Sequence, residues 1–166
     1  MSMPEPKDLQ ADGPLDGLDL ALLEVLQGDA RISNADLAAR VGLAPSTTHA
    51  RVRSLRDRGV ITEFLTSIDQ RRLGLGLQAL IGVTLRGGAR QANITDFAES
   101  VRDLPGVLQV FFLGGTDDFM IHVAVADTAA LRAFVVDHLS SRPGVAATRT
   151  SVVFDYHRNG VAASFQ

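Results

Sequence analysis

The stretch from Ser33 to Arg58 cannot run as one helix, and the way it is interrupted leaves few folds open to the chain. Ser33 is placed to cap a helix with Asp36 at its third position, flanked by Ile32 and Leu37 as an apolar staple. That helix extends to about Val41, because Gly42 can take the left-handed conformation that ends a helix. A second helix begins at once. Pro45 at its first position lacks an N–H that would have no partner there, and the helix ends before Gly59. An earlier helix precedes both: Asp16 caps it, Asp19 lies three residues on, Leu15 and Leu20 staple it, and Leu18, Leu22, Val25 and Leu26 continue its apolar face. A short capped helix, a glycine turn and a second helix give the geometry that lays the second helix in a major groove.

Charge bears on this directly. The whole chain of 166 residues carries a net charge of −3, which excludes coating of nucleic acid through bulk positive charge. Contact must come from a local patch, and Ala44 to Arg58 holds Arg51, Arg53, Arg56 and Arg58 against Asp57 alone. Thr48, Val52 and Leu55 recur at helical spacing and are expected to face the other two helices. Ser46, Thr47, Ala50, Arg51, Arg53 and Ser54 are then directed elsewhere. Ser46 and Thr47, in the first turn beside free backbone N–H groups, suit phosphates or base edges. Arg51 and Arg53 have the reach and fork geometry for guanine edges or backbone oxygens. His49 lies between the two faces and is compatible with the groove or with the edge of the helical core.

Beyond Gly59, Val60 to Leu65 alternates as a short strand would. From Gly76 the pattern becomes strand, helix, strand, twice over: strands over 77–85, 107–113, 119–125 and 145–154, with helical faces at Ile94, Phe97, Ala98, Val101, Leu104 and at Leu131, Phe134, Val135, Leu139. Pro105-Gly106-Val107 and Pro143-Gly144-Val145 mark the same junction in each half. A duplicated unit of this kind reads as a ferredoxin-like βαββαβ sandwich, with two helices on one face of a four-stranded antiparallel sheet. The other face stays open near Leu80, Val110 and Phe112 and needs a partner. The fold class is α+β: a flexible tail (1–14), a winged helix-turn-helix domain (15–62), a linker strand (63–75), a ferredoxin-like domain (76–158) and a second tail (159–166).

There are no cysteines, so thiolate metal sites and disulfides are excluded, and neither a metal nor a cofactor is expected. No apolar run approaches the ~18 residues that span a bilayer. The first residues, with Pro4, Glu5, Pro6, Asp8 and Asp12, lack the apolar stretch of a signal peptide. No membrane partner and a cytoplasmic location are expected.

Residues Gly28 to Ser46 resemble the helix-turn-helix signature of the leucine-responsive regulator (Lrp)/AsnC family; Arg51-Val52-Arg53-Ser54-Leu55 continues it and Gly59-Val60-Ile61 matches its exit. The resemblance extends from Leu15 to Tyr156. It implies a sequence-specific transcription regulator that binds double-stranded DNA, dimerises through the second domain and assembles further into a tetramer or octamer. It also implies that an amino acid or related small metabolite binds between those domains. The matching effector loop is Gly114, Gly115, Thr116, Asp117, Asp118, and the final strand supplies the other wall with Thr148, Thr150 and Ser151. On turn chemistry alone the loop is a hairpin connection; glycines admit a ligand close to backbone, and aspartates accept from an ammonium. Relatives often carry serine where Ala44 stands, and an acidic and an aromatic residue at Thr116 and Asp117. The same layout resembles siroheme-decarboxylase-like enzymes, but the sequence offers no paired acid and base, activated nucleophile or phosphate loop. His122 lies in an apolar strand, His138 near a helix end and His157 in the tail. A sensing and assembly module without DNA binding is the third reading.

Overall fold

A computed structural model describes residues 14–87 and 90–156. The expected tails, apart from Pro14, and His157 lie outside the described residues. The chain divides into two units, one ending at Ser67 and one beginning at Ile68.

The first unit holds α1 (Gly17–Gly28), α2 (Asn34–Val41) and α3 (Pro45–Asp57). Asp16 accepts the Asp19 N–H at 2.8 Å while the Asp19 carboxylate accepts the Asp16 N–H, a reciprocal cap. Ser33 caps α2 by accepting the Asp36 N–H at 3.1 Å, and Gly42 at φ 70° ends it. Ala44 precedes α3 without a side-chain cap, with Pro45 at the start. The Asn34 side-chain amide donates to the Pro45 carbonyl at 2.8 Å, tying the start of α2 to the start of α3. Leu22, Leu37, Ala38, Thr48 and Leu55 fill the space between the helices.

Residues 60–65 do not form the expected strand. Val60 and Ile61 instead donate back to the Leu55 carbonyl, closing the end of α3. Alternation supplies a strand's side-chain pattern, but a strand also needs a neighbour with which to exchange backbone hydrogen bonds. None of the described residues provides one for this segment. The linker contains a single 3-10 turn, Gln70–Leu73, capped by Asp69.

The second unit runs β1 (Leu77–Leu85), α4 (Arg90–Arg102), β2 (Val107–Phe112), β3 (Phe119–Val125), α5 (Thr128–Phe134) and β4 (Val145–Val153). α5 continues into a wider turn of helix over Val135–Ser140. All strand pairs are antiparallel in the order β2-β3-β1-β4, the ferredoxin-like arrangement. Ala79, Ile81, Val83, Phe119, Ile121 and Val123 form the core with Phe97 and Val101 from α4 and with Leu131, Phe134 and Leu139. Phe97 and Phe119 meet at 4.9 Å between ring centres.

The opposite face carries Gln78, Leu80, Gly82 and Thr84 from β1, paired with Ala124, His122 and Met120 of β3. Leu80 lies where expected; Val110 and Phe112 do not. They pair with the core residues Ile121 and Phe119, which places them on the helix side, and Phe111 is the β2 aromatic of the open face. A register shift between Val107 and Gln109 resets the alternation.

His122 is buried on that face, 3.0 Å from the Gln78 side-chain oxygen, and burial lowers its pKa from 6.5. The folded chain therefore favours neutral imidazole, so its contribution to stability is complete above pH 6.5 and is lost as pH falls below it. Between pH 7 and pH 5.5 the melting temperature of wild type should fall more steeply than that of His122→Gln. Parallel profiles would remove His122 from the account.

Candidate DNA interface and effector wall

At 100° per residue, Arg51 lies about 60° from Thr48 and about 40° from Leu55 around α3. Thr48 and Leu55 are fully buried, so Arg51 belongs to the flank of the core stripe and not to the outward set in which sequence reading placed it. Its guanidinium donates to Asp16 Oδ2 and to Asp19 Oδ1, both at 2.8 Å. Arg51 is 30% exposed and the Asp19 side chain 10%. The Asp16 carboxyl is held below its usual pKa of 3.8, first by the Asp19 backbone N–H and then by Arg51.

The rest of the expected DNA-binding set is exposed. Ser46, Thr47, His49, Ala50, Arg53 and Ser54 all face solvent, and His49 is directed away from the helical core. Ser46, Ala50 and Arg53 lie near the centre of the side opposite Thr48 and Leu55. Arg53 pairs with Asp57 at 3.6 Å, with both side chains at least 70% exposed. A pair so solvated contributes little and leaves the guanidinium available to another anion.

In the second unit, Gly114, Gly115 and Thr116 are exposed, but the two aspartates beside them are engaged. Asp118, expected as an acceptor for a ligand's ammonium, is buried instead, and its carboxylate accepts the Leu85 N–H at 2.8 Å. Its backbone N–H donates to the Val83 carbonyl, and its carbonyl accepts from Leu113. Asp118 thus fastens the loop to β1. Asp117 lies over Gly82, where a Cβ would sit 2.6 Å from its Oδ2, and its Oδ1 accepts from Arg149 at 3.3 Å.

The expected strand wall divides between two faces. Thr148 and Thr150 pair with Val83 and Ile81 and so lie on the helix side, where the Thr148 hydroxyl is 3.3 Å from that of Ser140. Ser151 and Arg149 pair with Leu80 and Gly82 on the open side, with Asp117. Arg149 belongs to the strand expected as that wall but not to its expected contact residues, although its position between two threonines already assigns it to the other face. A separate cleft of about 340 Å³, lined by Asp69, Gln70, Arg71, Gln78 and Tyr156 among others, includes none of the expected effector residues.

The helix-turn-helix and the antiparallel sandwich each match a known family. Residues 15–62 match the winged helix-turn-helix DNA-binding family, and residues 78–160 match the Lrp/AsnC ligand binding domain. The chain is 49% identical over 153 residues to the HTH-type transcriptional regulator AldR of Mycolicibacterium smegmatis, covering 92% of this chain and 88% of that protein. A transcriptional regulator from Neisseria meningitidis, crystallised as an L-Met complex, is 34% identical with a TM-score of 0.82, covering 89% of this chain and 95% of the other. AsnC of E. coli is 25% identical with a TM-score of 0.77, covering 89% and 98%. With both units matched and relatives similar along most of their length, the chain belongs to the Lrp/AsnC family: it is a transcription regulator with an N-terminal DNA-binding helix-turn-helix and a C-terminal domain of the family's ligand-binding type.

Proposed function

We propose that the chain regulates transcription by laying the outward side of α3 in the major groove, using Ser46, Thr47, His49, Ala50, Arg53 and Ser54. The observation that carries this reading is the split of α3 into two sides. Thr48 and Leu55 are fully buried, while those six residues are exposed. Ser46 and Thr47 sit at a helix start whose backbone N–H groups attract phosphate, and Arg53 reaches base edges or backbone oxygens.

The effector is an amino acid or a related small metabolite, bound at the second unit. Support comes from the Neisseria relative crystallised with L-Met and from the exposed Gly114-Gly115-Thr116 segment. With Asp117 and Asp118 holding the loop in place, Thr116 and the exposed loop backbone are offered to a ligand, with Ser151 on the same side of the sheet as Asp117. A thermal-shift screen of the amino acids, with L-methionine among the first, should find at least one that raises the melting temperature by several degrees well above its Kd. Light scattering should show the same compound altering assembly. No stabilisation by any of the amino acids would remove this class of effector.

The working form is a homo-oligomer, a dimer assembled into a tetramer or octamer, in the cytoplasm where the DNA is. Apolar residues left exposed in the second unit support this, among them Phe111 (44%), Phe112 (62%) and Phe154 (92%). The protein acts as a regulator and not as an enzyme; the similar proteins are transcriptional regulators.

A further inference from the structure

We propose that Arg51 is a positioning residue for DNA binding: it locks α3 to the start of α1 through Asp16 and Asp19, and contacts neither base nor phosphate itself. The two hydrogen bonds are charge-assisted and short, and both acceptors belong to the reciprocal cap that fixes the first turn of α1. One cation therefore joins a helix end to the middle of the reading helix. Asp19 is buried, so loss of Arg51 leaves a carboxylate without its counter-charge inside the unit. The stripe formed by Ser46, Ala50 and Arg53 lies on the far side of the same helix, and a small rotation of α3 would displace each of these side chains from its contact.

The role of Arg51 rests on α3 being the helix that enters the groove, and the sign of an effect tests it. Operator DNA binding is measured by fluorescence anisotropy across a salt series for the full-length protein and for Arg51→Met, Asp19→Asn and Arg51→Lys. Arg51→Met is expected to weaken binding roughly tenfold while leaving the slope of log affinity against log salt unchanged, because no phosphate contact is lost. Asp19→Asn is expected to weaken binding as well, although it removes a negative charge from a DNA-binding unit. Arg51→Lys should recover part of the loss, because a point charge still reaches a carboxylate. If Arg51 instead touches DNA, Asp19→Asn frees it and tightens binding, and Arg51→Met flattens the slope by about one phosphate. Either result overturns the proposal, as does wild-type affinity in every variant. Should Arg51→Met or Asp19→Asn melt below the assay temperature, Asp16→Asn takes its place, since it removes only the more exposed of the two bonds. Weaker binding at an unchanged slope then supports the proposal; tighter or equal binding overturns it.

Discussion

Ala50→Glu should abolish operator binding, lowering affinity by at least about a hundredfold, while leaving the melting temperature within a few degrees of wild type. Ala50 is exposed near the centre of the outward side of α3, roughly 160° around the helix from Thr48. A carboxylate there meets the phosphates and the electronegative groove floor, and like-charge juxtaposition at an interface costs several kcal/mol. Because the site is solvated in the free protein, and glutamate is a good helix former, folding has little to lose. Gel retardation with a thermal melt on the same preparation checks both halves. Retained binding by a folded variant would mean that another surface meets the DNA.

The second large effect falls on stability and separates two glycines that look identical in sequence. Gly106 has φ 85°, and a Cβ there would stand 2.8 Å from the Ala124 carbonyl oxygen. Gly106 also accepts the Ala124 N–H at 2.8 Å, so the backbone cannot retreat without losing a sheet contact. Gly106→Val combines a left-handed β-branched residue with a backbone clash and should destabilise the second unit by about 2–4 kcal/mol. Gly144 occupies the equivalent place in the repeated Pro-Gly-Val, yet it has open space around its Cβ position and is not among the glycines with positive φ. Gly144→Ala should stay within about 0.5 kcal/mol of wild type. Urea denaturation of the two variants side by side decides the matter. Equal losses would mean that the two halves of the sandwich are built alike at this junction.

That contrast shows where sequence reading succeeds and where it stops. The helix ends were legible because Asp16, Ser33, Gly42 and Pro45 act on their own backbone or on that of near neighbours. The sandwich was legible because the pattern of strand and helix repeats. Facing was harder. Val110 and Phe112 were assigned to the open side, but a one-residue register shift at the start of β2 turns them to the helix side. Such a shift is a property of the pairing between β2 and β3, which local sequence does not reveal.

The same limit governed the sites. Arg51 lies outside the Thr48, Val52 and Leu55 spacing and so falls with the outward residues by pattern, although it is only about 40° from Leu55 around the helix. Its partners lie 35 and 32 residues away, at the start of another helix. Asp118 looked like a ligand acceptor because aspartate beside glycine suits a binding loop. The Leu85 N–H that it accepts is 33 residues away and has no sequence signature. The outward stripe was recovered because it depends only on the period of one helix.

The most direct measurement is selection of preferred sites from random DNA by wild type and by Arg53→Ala, under the same salt. If the outward side of α3 reads bases, the wild-type motif has half-sites about one helical turn apart or a multiple of that, and Arg53→Ala relaxes one position in each half-site while the remaining positions persist. An unchanged motif at every position would contradict a base-reading role for this side of α3.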